Sequence, residues 1–177
     1  MTAIDLSKIE LLVLDVDGVL TNGKIIYTPA GEEIKEFHVR DGSGMKFWRR
    51  AGKKLAIITG RGSPAVEYRA KELDVNACRI QVKEKLPAYR EILAELNVSP
   101  QQTAVMGDDL MELPLMRHCA FPVAVADAVA EVRAAAAYVT QLPGGAGCVR
   151  EVIEHILKHT GLWNQILSRY VAQGEQR

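Results

Sequence analysis

An uninterrupted apolar run that ends in two carboxylates constrains this chain more than any other feature of its sequence. Residues Leu11–Leu14 are all aliphatic, and Asp15, Asp17 and Gly18 follow at once. A short apolar run of this kind is typical of a strand buried on both faces, as in a parallel sheet with helices on either side. Because open α/β sheets bind ligands at the carboxyl ends of their strands, we expect a ligand site at Asp15 and Asp17.

The turn after this strand decides how the two carboxylates can be used. On an extended chain, side chains two positions apart point the same way only while the strand continues, and here Gly18 introduces a turn. Asp15 could then offer its carboxylate and Asp17 its backbone carbonyl to a hard cation, which leaves the Asp17 side chain free for proton transfer. The alternative is that both acids serve only the chemistry of the turn.

Composition narrows the class of protein. The 177 residues fit one domain with a substantial core, and 22 basic residues balance 22 acidic ones. No broad basic field therefore argues for nucleic acid or an anionic membrane, and an anionic ligand must be met locally. The three cysteines are scattered, without the spacing of a zinc site or a disulfide framework, which favours a cytoplasmic protein. No secretory signal or membrane-spanning run is expected.

A second apolar run ends in residues that suit an anion. Residues 55–58 are followed by Thr59, Gly60 and Arg61, which offer a hydroxyl, a glycine backbone N–H and a guanidinium to a phosphate or carboxylate. These residues would also serve as an ordinary strand exit. They become informative only together with the other strand ends.

A third apolar run, within residues 102–107, ends in Asp108 and Asp109. Two adjacent acids at the end of a parallel strand are costly unless a cation or hydrogen bonds compensate, so Asp108 is a metal candidate. Lys85 lies near the start of a helix predicted over residues 83–96. A cation there opposes the helix dipole, and a bound anion would compensate.

The remaining segments predict supporting elements. Residues 24–39 read as a projecting β-hairpin, and a helix is expected only from Met45 to Arg50. Asp127 is expected to cap the alanine-rich helix that follows it. The glycine loop at 143–147 is read as a connector, and His155 and His159 as packing or solvated side chains. Residues 161–177 form an amphipathic tail that is expected to dock on another subunit.

Alternating strands and helices predict an α/β fold, a three-layer Rossmann-like sandwich with a central parallel sheet. In this fold the three strand ends and the lysine converge, and they carry what metal-assisted phosphoryl transfer needs. Asp15 would attack phosphorus, and Asp17 would protonate the leaving oxygen and then deprotonate water. The expected roles of the others are phosphoryl binding by Thr59 and Lys85 and Mg²⁺ ligation by Asp15, Asp17 and Asp108.

At these positions the chain resembles the haloacid dehalogenase superfamily of phosphatases. Asp15-Val-Asp-Gly-Val-Leu-Thr21 is similar to its first motif, Thr59 to its second, Lys85 to its third and Gly107-Asp-Asp109 to its fourth. The gaps between Asp15 and Thr59 and between Lys85 and Asp108 are too short for a cap domain in addition to the core elements. Water exclusion would have to come from elsewhere, which predicts an oligomer.

Several further segments resemble the 3-deoxy-D-manno-octulosonate 8-phosphate (KDO 8-phosphate) phosphatase family, from residue 11 to about residue 159. They are residues 15–23, 37–42, 57–61, 125–128 and 143–147, the last followed by Val149-Arg-Glu151. The resemblance implies a cytoplasmic, Mg²⁺-dependent homotetramer of lipopolysaccharide biosynthesis, without a separate cap. It implies that the hairpin of one subunit covers a neighbour's site. The phosphatase domain would span residues 1–160.

Two positions depart from the family pattern. Glu112 stands where an aspartate is usual, which changes the reach of that carboxylate, and Ala146 stands where an arginine is common. Gly60, Arg61 and Arg40 remain candidate partners for the phosphate and carboxylate of a small sugar phosphate. A nine-carbon acid sugar 9-phosphate would suit these residues equally. Two different interpretations are a non-catalytic sugar-phosphate-binding or regulatory module and a receiver-type signalling domain.

Overall fold

A six-stranded parallel sheet lies at the centre of the computed structural model, which describes residues 4–171. The strands are β1 (Leu11–Leu14), β2 (Ile26–Tyr27), β3 (Glu33–Ile34), β4 (Lys54–Ile58), β5 (Ala77–Arg79), β6 (Thr103–Gly107), β7 (Phe121–Ala124) and β8 (Tyr138–Val139). The spatial order is β5-β4-β1-β6-β7-β8, and β2 pairs with β3 as a separate antiparallel hairpin.

Helices cover both faces of this sheet. They are α1 (Val39–Arg50), α2 (Pro64–Glu72), α3 (Lys85–Leu96), α4 (Leu113–Met116), α5 (Ala130–Ala135), α6 (Cys148–His159) and α7 (Leu162–Val171). The steps from β1 to β4 and from β6 to β7 run in opposite directions across the sheet, so right-handed crossovers place α1 and α4 on opposite faces. Helix α1 packs on α6, and α3 packs on α4. The predicted three-layer fold is confirmed.

Strand β1 is central because its side chains are apolar on both faces. All four residues are buried, and the strand pairs in register with β4 on one side and β6 on the other. The chain proceeds outward from β1 through β4 to β5 and then returns to β6. The direction of winding therefore reverses beside β1, which is where open sheets of this kind bind ligands.

Helix α1 corrects the sequence prediction for residues 39–44. The helix begins at Val39 rather than Met45, because two glycines inside it permit close packing rather than a loop. A Cβ on Gly42 would lie 2.2 Å from the Arg69 guanidinium, and one on Gly44 would lie 2.9 Å from the Arg150 side chain. The glycines let α1 approach α2 and α6, and this compensates for their poor helix propensity.

The hairpin is present but shorter than predicted, since pairing is confined to residues 26–27 and 33–34. Between β1 and β4, the chain contains only this hairpin, its flanking turns and α1, so no cap domain is inserted there. Ile25, Ile26, Tyr27 and Ile34 are exposed on the hairpin. A two-stranded ribbon with exposed apolar side chains is marginal by itself.

Helix α7 packs on its own chain, and docking of the tail on another subunit stays a prediction. The ring of Phe47 in α1 meets Trp163 and Tyr170 edge-on, each at 5.9 Å between centroids. Arg50 donates a hydrogen bond of 2.8 Å to the Tyr170 hydroxyl. The end of the predicted tail, residues 172–177, lies outside the described residues. None of the helices between residues 4 and 171 combines the length and apolar character that a membrane crossing requires.

Candidate active site

A cavity of about 240 Å³ opens at the carboxyl ends of β1, β4 and β6. Its walls come from the three strand ends identified in the sequence, from the start of α3, and from the turn after β6. The lining residues are Asp15, Asp17, Gly23, Thr59, Gly60, Arg61, Lys85, Asp108, Asp109, Met111 and Glu112. The structure therefore brings together all the predicted site residues except Arg40.

Lys85 connects two buried carboxylates at the floor of the cavity. Its Nζ donates to Asp15 Oδ1 at 2.7 Å and also to Glu112 Oε1. Burial alone would lower the pKa of Lys85, but the attraction of Asp15 and Glu112 outweighs it and raises that pKa. Burial raises the pKa of Asp15 to about 6, although the Lys85 ammonium opposes the shift. The lysine is held charged, as the predicted phosphoryl binding requires.

Asp108 completes an acidic cluster with these residues. Carboxylate oxygens of Asp15, Asp108 and Glu112 lie within 4.8 Å of one another. Burial, followed by the charges of Asp15 and Glu112, raises the pKa of Asp108 to about 7. Hard oxygen donors crowded in this way suit a divalent cation, which would relieve their mutual repulsion. The residues present therefore fit Mg²⁺.

The turn at Val16–Leu20 presses against this cluster. Gly18 has a φ of +89°, and a Cβ at this position would lie 2.0 Å from Asp108 Oδ2. Only glycine allows both the conformation and the close approach. The sequence prediction of a glycine-dependent turn beside the carboxylates is therefore confirmed.

Asp17 lies at the side of the cavity, apart from the acidic cluster. Its Oδ1 accepts from the ammonium of Lys35, a hairpin residue. Its buried Oδ2 has no hydrogen-bond partner among the described residues and lies 4.0 Å from Arg61 Nε. Arg61 is also held by the hairpin, because its guanidinium donates to Glu33 Oε1 at 3.0 Å and to the Tyr27 hydroxyl at 3.0 Å.

Thr59 lies at the end of β4 with its side chain buried. Its Oγ1 accepts a 3.3 Å hydrogen bond from the Arg61 backbone N–H. Because the hydroxyl accepts in this contact, its own hydrogen remains available to a ligand oxygen. Gly60 is exposed beside it. Both residues line the cavity, and binding of an anion by this strand exit stays a prediction.

Arg40 does not line the cavity that contains Asp15. It lines a different cavity, together with Ala146 and Arg150, rather than the cavity that contains Asp15. Its place near the start of α1 directs it toward the beginning of α6. Within one chain, the structure does not support the prediction that Arg40 contacts a ligand of the acidic cavity.

The glycine loop at 143–147 supports the turn that carries Asp17 and does not line the cavity. A Cβ on Gly144 would lie 1.8 Å from Gly18 O, and the Gly145 N–H donates to Val19 O at 3.0 Å. Asp127 accepts from Gly144 N at 2.9 Å, and it does not cap α5 as predicted, since α5 is preceded by Val129. The prediction for His155 fits, because its ring stacks on Tyr138 at 4.5 Å.

Sequence reasoning missed Lys35 altogether. The period-two alternation of the hairpin puts Glu33 and Lys35 on the same side of the strand, opposite Ile34, and this signal could have identified them as a pair. Glu112 was noted only as a departure from a family pattern. Its contact with Lys85 and the hydrogen bond of 3.2 Å that its Oε2 accepts from Asp109 N make it part of the site.

Comparison with known proteins identifies the family. A model of haloacid dehalogenase-like hydrolases matches residues 80–150. The 3-deoxy-D-manno-octulosonate 8-phosphate phosphatase of Yersinia pestis is 44% identical over 151 residues, which cover 85% of this chain and 81% of that enzyme. The Escherichia coli enzyme is 42% identical over 154 residues, covering 87% and 82%. This chain belongs to the KDO 8-phosphate phosphatase family.

Solved structures agree with this family assignment. The phosphatase of Moraxella catarrhalis, crystallised in complex with magnesium, phosphate and KDO, superposes with a TM-score of 0.91 at 38% identity and covers 93% of this chain and 95% of its own. The cobalt-bound Haemophilus influenzae phosphatase gives a TM-score of 0.86 at 38% identity, covering 88% and 91%. The resemblance inferred from the four motifs is therefore confirmed, and the chain is a hydrolase of the haloacid dehalogenase type.

Proposed function

We propose that this chain is a Mg²⁺-dependent phosphatase that hydrolyses KDO 8-phosphate to KDO and phosphate in lipopolysaccharide biosynthesis. One observation carries the proposal. The chain matches a KDO-, magnesium- and phosphate-bound phosphatase over 93% of its length, and its own Asp15, Asp17, Thr59, Lys85 and Asp108 line one cavity.

In the first half-reaction, a carboxylate oxygen of Asp15 bonds to phosphorus while the bond from phosphorus to the sugar oxygen breaks. Asp17 transfers its proton to that oxygen, and the atom available for this transfer is Oδ2, which accepts no hydrogen bond from residues 4–171. Thr59 donates its hydroxyl hydrogen to a phosphoryl oxygen. Lys85 neutralises the charge that spreads over the phosphoryl group.

In the second half-reaction, the Asp17 carboxylate takes a proton from water as the water oxygen bonds to phosphorus. The bond to Asp15 breaks, which releases phosphate and restores the carboxylate. The same Asp17 oxygen therefore acts first as an acid and then as a base. Lys85 donates a hydrogen bond to Asp15, and this charge-assisted contact favours departure of the carboxylate as an anion.

Asp15 and Asp108, with the Asp17 backbone carbonyl, are the residues that would hold Mg²⁺, and Glu112 is close enough to join them. The bound cation supplies neutralisation of the repulsion between the phosphate and the carboxylate nucleophile. Gly60 and Arg61 lie at the cavity and would meet the anionic groups of the sugar. Arg40, which lines another cavity, would serve a site only across a subunit interface.

The proposal includes a cytoplasmic homotetramer. The exposed apolar side chains of the hairpin, Ile26 and Tyr27 among them, are surfaces that association would bury. No cap domain lies among residues 4–171, so exclusion of water would need a neighbouring subunit. All three cysteines, Cys78, Cys119 and Cys148, are free thiols, which fits a reducing compartment.

Phosphate release tests the proposal. The purified protein is assayed with KDO 8-phosphate, a nine-carbon acid sugar 9-phosphate and an aryl phosphate, each with Mg²⁺ and with a chelator. We expect preference for the eight-carbon substrate and loss of turnover on chelation. Equal turnover of the two sugars would refute the substrate assignment, and no release from any compound would favour a non-catalytic binding module.

A further inference from the structure

We propose that Lys35 is a positioning residue for the proton-transferring carboxyl of Asp17. The proposal concerns a hairpin residue that none of the four phosphatase motifs contains. It rests on the proposed phosphatase activity, because it assigns Asp17 to proton transfer. It adds a role for the hairpin that differs from covering a neighbouring site.

The placement of Lys35 is unusual for a lysine on an exposed hairpin. Its side chain is only 2% exposed, whereas the hairpin residues Ile26, Tyr27 and Ile34 are exposed. A buried ammonium is costly unless it is paired. Its partners are Asp17 Oδ1 and, at 3.4 Å, Glu33 Oε1. The lysine is therefore directed inward, at the edge of the active-site cavity.

The contact of Lys35 leaves the two oxygens of Asp17 in different environments. Oδ1 is held by the ammonium, whereas Oδ2 is buried without a hydrogen-bond partner among the described residues. The contact at Oδ1 restricts rotation of the Asp17 carboxyl, and the orientation of Oδ2 is therefore restricted as well. A proton on Oδ2 is compatible with this contact, because Oδ1 still accepts from Lys35.

A second link shows that Lys35 is not needed merely to attach the hairpin. Glu33 and Tyr27 already hold the hairpin to the cavity wall through Arg61, with hydrogen bonds of 3.0 Å each. Lys35 is the hairpin residue whose side chain reaches Asp17 itself. Its distinct contribution is to hold the Asp17 carboxyl in line with the leaving oxygen. Misplacing a proton-transferring group even slightly lowers the reaction rate strongly.

The dependence of the rate on the leaving group tests this role. An alkyl sugar oxygen must be protonated as it leaves, whereas a nitrophenyl oxygen leaves without a proton. The value of kcat/KM reports only the steps through departure of the leaving group, before Asp17 acts on water. In the full-length, Mg²⁺-loaded protein, Lys35→Met should lower kcat/KM for KDO 8-phosphate by at least about tenfold and change kcat/KM for nitrophenyl phosphate by less than about twofold. Lys35→Arg should recover part of the loss.

Two further variants complete the test. Lys24→Met, an exposed lysine on the same hairpin, should change neither rate. Asp17→Asn should show the same selective loss of kcat/KM, and adding Lys35→Met to it should not alter the ratio of the two kcat/KM values further. An equal loss with both substrates, or no loss with either, would overturn the proposal for Lys35.

Hydrogen exchange separates this proposal from the proposed function. If the wild-type protein releases no phosphate from any substrate, the proposed function fails, and exchange still decides whether Lys35 holds Asp17. Lys35→Met should speed exchange of the amides at Val16–Leu20 by at least about tenfold relative to Lys24→Met. Exchange rates equal to those of the Lys24→Met control would show that the contact positions nothing.

Discussion

The carboxylate of Asp41 in α1 is expected to stabilise the start of α6, and removing it should unfold the protein more easily. Asp41 is 1% exposed. Its Oδ1 accepts from Arg150 N at 2.7 Å and its Oδ2 from Gly147 N at 3.2 Å. Gly147 precedes α6 and has no side chain to cap it. Asp41 therefore performs from another helix what an N-cap residue usually does.

The size of the effect follows from the two hydrogen bonds. Asp41→Ala leaves two N–H groups without their acceptor, at about 1–3 kcal/mol each if both stay dry. Loss of an N-cap costs about 0.5–2 kcal/mol in measured cases. Removing the buried carboxylate returns part of its desolvation cost, so we expect a net loss near 2 kcal/mol, or roughly 4–8 °C in Tm for a chain of this size. Asp41→Asn keeps one acceptor and should lose about half as much.

Thermal and urea unfolding measure this loss, with Lys46→Ala on the exposed side of α1 as the control. Burial raises the pKa of Asp41 above 3.8 in the folded state. The folded state therefore holds this proton more tightly than the unfolded chain, and the contribution is lost as the pH rises through the native pKa. The difference in the free energy of unfolding between wild type and Asp41→Asn should therefore shrink as the pH rises through the native pKa of Asp41. An Asp41→Ala variant as stable as the control would refute the reasoning.

Three further predictions concern the site. Asp15→Asn should abolish phosphate release while the circular dichroism spectrum and Tm stay near wild type; substantial turnover would remove Asp15 as nucleophile. Burial and neighbouring charges raise the pKa of Asp108 to about 7 and that of Asp15 to about 6, so protons compete with Mg²⁺ for these carboxylates. The Mg²⁺ affinity measured by calorimetric titration should therefore weaken as the pH falls through about 7, and a pH-independent affinity would contradict this. Gly18 has a φ of +89° and an added Cβ would lie 2.0 Å from Asp108, whereas Gly31 has a φ of +83° and no atom within 4 Å of an added Cβ. Changing either glycine to alanine should therefore cost about 1–2 kcal/mol in backbone strain, but only Gly18→Ala should also weaken Mg²⁺ binding. Equal Mg²⁺ affinities of the two variants would show that the close approach is unimportant.

The sheet and the ends of its strands could be predicted from sequence because the signals are local. Four aliphatic residues before Asp15, and similar runs before Thr59 and Asp108, require buried strands whose ends meet at one edge. Lys85 was found because a cation at the start of a helix is unfavourable without a counter-charge. In each case the deciding residues are neighbours in the chain.

The features that sequence reasoning missed depend on contacts between distant segments. Gly42 indicated a loop, but it lies inside α1 because α2 packs against it. Asp127 was predicted to cap the next helix, but it binds the backbone of the glycine loop. Lys35 lies on the hairpin, where the alternation of side chains predicts only which face of the strand the lysine is on. Its partner on that side is the Asp17 carboxyl, and this contact depends on how the hairpin packs against the turn after β1.

The glycine loop also affects the order in which a newly made chain can become active. The turn that carries Asp17 is supported by Gly144 and Gly145, which follow α5 in the chain, through contacts that leave no room for a side chain. A nascent chain that has emerged only as far as α5 contains every residue of the acidic cluster but lacks this support. The catalytic residues of the phosphatase are therefore synthesised before the glycine loop that aligns them, and a partly made chain does not yet contain the complete site.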